Sequence, residues 1–168
     1  MRHMSVLAGI MLLGGCTLPD DPGNVPLRGH WESSFRLVAL TIDDRSIMRD
    51  EAPFALPADK TEDKGCFEPR IKTVDEANAT MGSASKVNCR FESLDRDGGQ
   101  IVGRGRCEPQ AKQGVTINGT FTVTGEEAAD RIKAIPSIDA FAHLPDGQTV
   151  RVHTAFALTF NRLGDCGA

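Results

Sequence analysis

The chain is predicted to be mainly β: an antiparallel meander of six to seven strands forming a curved sheet, small barrel or sandwich, with one short helix. Three observations carry that prediction. Apolar and polar residues alternate with period two through 30–42, 87–107, 115–124 and 148–161. Turn signals built on Gly, Asp and Pro separate these runs. Cys66, Cys89, Cys107 and Cys166 are spaced as strand staples, since no C-x-x-C or H-x-x-x-H pair offers a metal site.

The first fifteen residues stand outside this pattern. Arg2 and His3 precede an apolar run, Val6 to Leu13, too short for the roughly 20 residues of a bilayer span and therefore expected to be a secretory signal. Leu13-Gly14-Gly15-Cys16 resembles the lipobox of bacterial lipoproteins. That resemblance implies removal of 1–15, a diacylglyceryl group on the Cys16 thiol and an acylated new amino terminus, hence a multi-chain membrane anchor. Thr17 stands where an aspartate would resemble an inner-membrane retention signal, so the expected location is the outer membrane, facing the periplasm. Residues 16–27 hold Pro19, Pro22, Gly23 and Pro26 with Asp20 and Asp21, the composition of a flexible tether. Residues 28–168 form the single expected domain.

From Cys16 onward the chain has 153 residues, enough for one core. It carries 18 basic and 23 acidic residues, a net charge of −5. A nucleic-acid partner would need a basic face, and this balance argues against one.

His30 to Ile42 reads as the first strand, with Trp31, Phe35 and Leu37 on one face and Glu32, Ser34 and Arg36 on the other. Asp43-Asp44-Arg45 ends it. Residues 46–64, with Pro53 and Pro57 among many charges, read mainly as loop, and Gly65-Cys66-Phe67 as a short strand. Val74 to Met81 is the one helix, with Gly82 as its stop. Val87, Cys89, Phe91 and Ser93 then share a strand face, and Asp97-Gly98-Gly99 supplies the turn. With Gly98 at its centre, paired positions sum to 196: Cys89 opposes Cys107, Phe91 opposes Gly105 and Glu92 opposes Arg104. A disulfide, an aromatic over a glycine and a charge pair agree on that register. Val115, Ile117, Phe121 and Val123 face inward from the following strand, Gly125 turns it, and 129–135 returns before Pro136. After a loop at Pro145-Asp146-Gly147, the last strand buries Val150, Val152, Phe156, Leu158 and Phe160.

With Cys89 and Cys107 paired, Cys66 and Cys166 remain to tie an early strand to the chain end. The pairing of Cys66 with Cys89 and Cys107 with Cys166 stays open at this level. Gly29-x-Trp31-Glu32, Cys66 before a short helix, Cys89 and Cys107 around a Gly-turn hairpin and the ending Arg162-Leu163-Gly164-Asp165-Cys166 together resemble the bacterial exported family numbered 3617 among the domains of unknown function. The likeness covers about residues 26–166 and implies export, disulfides and a β fold, with no activity attached. Gly29-His30-Trp31 with Arg162 is also similar to the lipocalin pattern of Gly-x-Trp on the first strand and arginine on the last, which implies a guanidinium stacked on the indole. A core tryptophan packed at a barrel end explains those residues better.

Candidate chemistry is sparse. Asp95-x-Asp97-x-Gly99 lacks the glycine and glutamate of a calcium loop, with Gln100 and Arg106 in their places. His30, His143 and His153 have no ligand spacing, and the expectation is no metal and no cofactor. Ser33-Ser34 and Ser83-x-Ser85 lack the context of a nucleophile elbow, the adjacent acids Asp43-Asp44 and Glu126-Glu127 point apart on a strand, and Gly103-x-Gly105 lies inside a strand rather than before a helix. The sequence therefore predicts no catalytic residues. It predicts a non-enzymatic cell-envelope lipoprotein with a binding or structural role toward an envelope protein partner. The second reading is a carrier of a small apolar ligand or lipid in a β-barrel interior. A carrier needs an unfilled interior; inward Phe91, Phe121, Phe156 and Phe160 predict filling, while Gly103, Gly105 and Gly119 leave room in places.

Overall fold

A computed structural model describes residues 25–54, 56–69, 71–84, 89–112 and 115–167. Cys16, the signal segment and most of the tether lie outside the described residues. The period-two runs become long strands: β1 (Gly29–Ile42), β2 (Arg45–Ser46), β3 (Lys60–Phe67), β4 (Cys89–Asp97), β5 (Gln100–Lys112), β6 (Val115–Ala128), β7 (Arg131–His143) and β8 (Thr149–Gly164), with α1 (Val74–Ala84) between β3 and β4. They form one antiparallel sheet in the order β2-β1-β8-β7-β6-β5-β4, and β3 adds to the outer edge of β1. Strands β4 to β8 keep the meander. The first long strand leaves it to lie beside the last, and the sheet stays open, so neither barrel nor sandwich forms.

Several boundaries move for identifiable reasons. The stretch read mainly as loop contains Ser46 of the two-residue β2, a 3-10 turn at Arg49–Glu51 and all of Lys60–Lys64 in β3. Strand β3 alternates charges because it is an edge, where charge deters further pairing. Helix α1 runs through Gly82 to Ala84. Gly125 does not turn the chain. Strand β6 continues to Ala128, and β7 passes through Pro136, which pairs with Val123. The proline's missing N–H falls on the β8 side, where the ladder skips from Ala134↔Leu158 to Ser137↔Ala155.

Bulges account for the remaining differences. Cys89↔Cys107 and Phe91↔Gly105 pair as expected, but Ser93, not Glu92, opposes Arg104, because Glu92 is an extra residue in β4. Glu92 instead bonds Arg106. One inserted residue flips every later side chain, so Leu94 and Arg96 join Phe91 on the apolar face and Ser93 leaves it. The turn is the two-residue Gly98-Gly99, at φ 55° and 80°, the left-handed region that glycine favours. Val38 is the corresponding extra residue in β1, between Leu37↔Phe156 and Ala39↔Ala155. It faces solvent and returns Leu40 to the core.

The Cys66 and Cys166 sulfurs stand 2.12 Å apart and those of Cys89 and Cys107 2.00 Å apart, the first of the two connectivities considered. At the chain's entry to the domain Pro26 is fully buried and the Leu27 N–H donates to Ala129 O at 3.0 Å.

One face of the sheet carries the core, in two halves. In the first, Leu40, Ala142, Val150 and Val152 are buried beneath Ile47, Ala52, Phe54 and Leu56 of the β2–β3 connection. In the second, Phe91 and Phe121 meet edge to face at 4.8 Å, and α1 with the segment before it forms the cover.

Candidate functional site

The second half of the face holds the site. A cavity of about 300 Å³ lies between sheet and cover. Its floor comes from five adjacent strands: Phe91, Leu94 and Arg96 of β4, Ile101 of β5, Val123 of β6, Ile132 and Pro136 of β7, and Leu158 and Phe160 of β8. Its roof is Pro69, Ile71, Ala77 and Thr80. Phe121 and Phe156 are buried as filling residues, whereas Phe91 and Phe160 line the cavity wall. The room left by the glycines is taken: a Cβ on Gly103 would lie 2.6 Å from the Phe91 ring, and one on Gly105 would overlap Phe121.

The cover is fastened by polar groups at its ends. Thr73 and Glu76 form a capping box, in which Thr73 Oγ1 accepts from Glu76 N at 3.2 Å and Glu76 Oε2 accepts from Thr73 N at 3.0 Å. Glu76 also accepts from Lys72 N at 2.7 Å. These backbone donors, Lys72 first, hold its carboxyl below the ordinary carboxylate range. One turn on, the Asn78 side chain imitates a neighbouring strand. Its Oδ1 accepts from Phe91 N at 2.7 Å and its Nδ2 donates to Phe91 O at 3.2 Å. Both backbone groups of an edge residue are thereby satisfied, and Ala77 is pressed against the cavity at 2% exposure.

Arg96 fastens the segment before the helix. Its Nε donates to Glu127 Oε1 at 3.0 Å, a terminal nitrogen pairs with the other Glu127 oxygen, and the second terminal nitrogen bonds Ile71 O. Side-chain exposures of 13% and 9% make this a largely desolvated pair. Burial pushes the guanidinium down from its usual value, and the Glu76 carboxylate opposes that shift. Asn78 and Arg96 were not legible as site residues. Asn78 sits in an amphipathic helix, and the bulge at Glu92 hides the inward direction of Arg96.

The signature residues assemble at the far end of β1. Trp31 is fully buried, opposite Arg162 in β8 and Gly65 in β3, with the Phe67 ring centroid at 6.3 Å. Arg162 Nε donates to Arg28 O at 2.8 Å, and a second nitrogen pairs with Asp165. A Cβ on Gly29 would overlap the Arg162 side chain and Gly164 O, so the glycine is what lets Arg162 cross the strand. Glu32 opposes Asn161, and the Cys66–Cys166 link closes the same corner. These residues clamp first strand to last.

The three histidines among the described residues lie in separate cross-strand rows. His30 opposes Gly164, His143 Nδ1 contacts Thr149 Oγ1 at 2.8 Å, and His153 Nδ1 contacts Asp139 Oδ1 at 3.0 Å. Asp97 pairs with Gln100 in the β4–β5 hairpin. Among the described residues no group of three His, Cys, Asp or Glu side chains converges as a metal site, and no helix is long and apolar enough to cross a membrane. No family model, curated protein or solved structure matches the chain.

Proposed function

We propose that the protein is a non-enzymatic, lipid-anchored module of the bacterial cell envelope that faces the periplasm and binds a small apolar ligand. The anchor is Cys16. The ligand site is the cavity between the sheet and α1, and so differs from the barrel interior that a carrier reading of the sequence alone requires. One observation carries the binding reading: about 300 Å³ lined by side chains such as Leu94, Ile101, Val123 and Leu158, a volume at the lower end of the range for small-molecule sites. The likeness of Leu13-Gly14-Gly15-Cys16 to a lipobox supports the location and leaves the ligand open.

Native mass spectrometry on the Cys16→Ser protein exported to the periplasm tests this. Co-purified mass that leaves on denaturation is the expected result. A bare chain lighter by the four hydrogens of two disulfides would sink the ligand reading and leave the protein-partner one. On the native protein, a mass of diacylglyceryl and acyl groups on the peptide beginning at Cys16 is expected, and an unmodified Cys16 would overturn the anchor.

A further inference from the structure

The two halves of the apolar face stand at opposite ends of the sheet, and the chain enters the domain at one of them. Leu27 N donates to Ala129 O at 3.0 Å, Arg162 N to Asp130 O at 2.8 Å and Glu127 N to Gly99 O at 2.7 Å. The entry point, the β6–β7 turn, the β4–β5 turn and the close of β8 therefore share one end. The cavity lies there too: Ile101 follows Gln100 at the start of β5, Ile132 follows Arg131 at the start of β7, and Phe160 pairs with Ile132. The Leu40 cluster lies at the other end, where Ala142 and Val150 flank the β7–β8 connection.

Chain length turns this arrangement into an orientation. Val25 stands nine residues after Cys16, a stretch that spans at most roughly 32 Å whatever its conformation. Along β8, Arg162 and Thr149 are thirteen residues apart, roughly 43 Å of strand. With lipid on Cys16, a domain standing with its Leu40 end on the bilayer would need its entry point farther out than the chain reaches. The reverse orientation, cavity end toward the bilayer, meets no such limit. An apolar molecule favours the bilayer over water by roughly fourfold for each methylene, so the end with the hollow is also the end held nearest the densest store of such molecules.

We propose that the cavity end of the sheet is the surface turned to the membrane, and that its partner is the bilayer carrying the Cys16 anchor. This rests on the anchor proposed above and is independent of what fills the cavity.

The test is energy transfer from the natively lipidated protein in vesicles of phosphatidylethanolamine and phosphatidylglycerol that carry a trace of rhodamine-labelled lipid. A donor dye is attached to Asp130→Cys at the cavity end or to Gln148→Cys at the other, both exposed positions. Transfer is expected to be at least about twofold higher from position 130, because its height above the lipid is set by the short chain to Cys16 and that of position 148 adds the strand length. Asp97→Cys and Asp146→Cys, also exposed, form a second pair with the same expectation. Equal transfer from the two ends, or more from positions 146 and 148, with Cys16 lipidated by mass would overturn the orientation alone. No transfer from any position together with an unmodified Cys16 would remove the anchor itself, and the orientation with it.

Discussion

The two halves of the apolar face share strands β7 and β8 and end differently. Around Leu40 the covering segment 47–56 lays Ile47, Phe54 and Leu56 directly onto Ala142, Val150 and Val152. Large roof residues there pack against small floor residues. Under α1 the floor is larger, with Phe91, Leu94, Ile132 and Phe160, and among the described residues the roof presents Ala77, Thr80, Pro69 and Ile71. The roof is also held at its polar ends, by Asn78 on the β4 edge and Arg96 on Ile71 O. A cover fixed at a distance by hydrogen bonds cannot sink to fill the gap beneath it. The hollow follows from where the polar fasteners stand, rather than from any shortage of apolar residues.

The comparison can be broken most sharply at Arg96. Arg96→Met strands the Glu127 carboxylate and is expected to cost about 3–5 kcal/mol in urea unfolding, whereas Arg96→Met with Glu127→Leu is expected to stay within about 1 kcal/mol of the unsubstituted protein. Equal losses for single and double variants would mean that the pair is not desolvated. Next in size is truncation in each half. Leu40→Ala opens a cavity at a buried, packed position and is expected to cost about 3 kcal/mol, and Leu94→Ala, already beside open space, about 1 kcal/mol. If the two cost the same, the halves are packed alike. Asn78→Ala removes two hydrogen bonds that hold the cover, for about 1–2 kcal/mol, and hydrogen exchange at the Phe91 amide should rise while amides of β7 and β8 stay protected.

The smallest effect is one of pH. The Glu76 carboxyl lies below its ordinary range when folded, so its contribution is complete above the unfolded value and fades as pH falls through that value toward the folded one. Acid is therefore expected to loosen α1 before the Leu40 cluster, seen as earlier exchange of α1 amides. Glu76→Gln should abolish that order, and an unchanged order would assign the acid response to other groups.

Much of this architecture was readable from alternation. The inward direction of Phe121 and Val123 in β6, the inward set of β8, the Cys89–Cys107 pairing and the helix position required only period two and turn chemistry. Bulges defeated the reading at Glu92 and Val38, since no residue type announces an inserted position. The role of Arg96 was lost with them. Pro136 and Gly125 misled because both are usual breakers, while here the proline's lost donor falls where the ladder to β8 is interrupted and the glycine passes close against Lys133 O. The hollow itself was invisible: the phenylalanine count predicts filling, and only the height of the roof decides whether the rings meet or stand apart.

The adjacency of β1 and β8 has a consequence for connectivity. Gly164 at the end of β8 stands opposite His30 near the start of β1, so the two ends of the sheet-forming chain meet at one corner. Joined there by a short loop and cut between α1 and β4, the same strands would read β4, β5, β6, β7, β8, β1 in unbroken sequence. The fold is thus an ordinary meander entered part-way along its length. Its natural entry point leaves β1 with β2 and β3 on one side alone until the final strand has emerged, and makes that last strand the keystone on which both sides of the sheet depend.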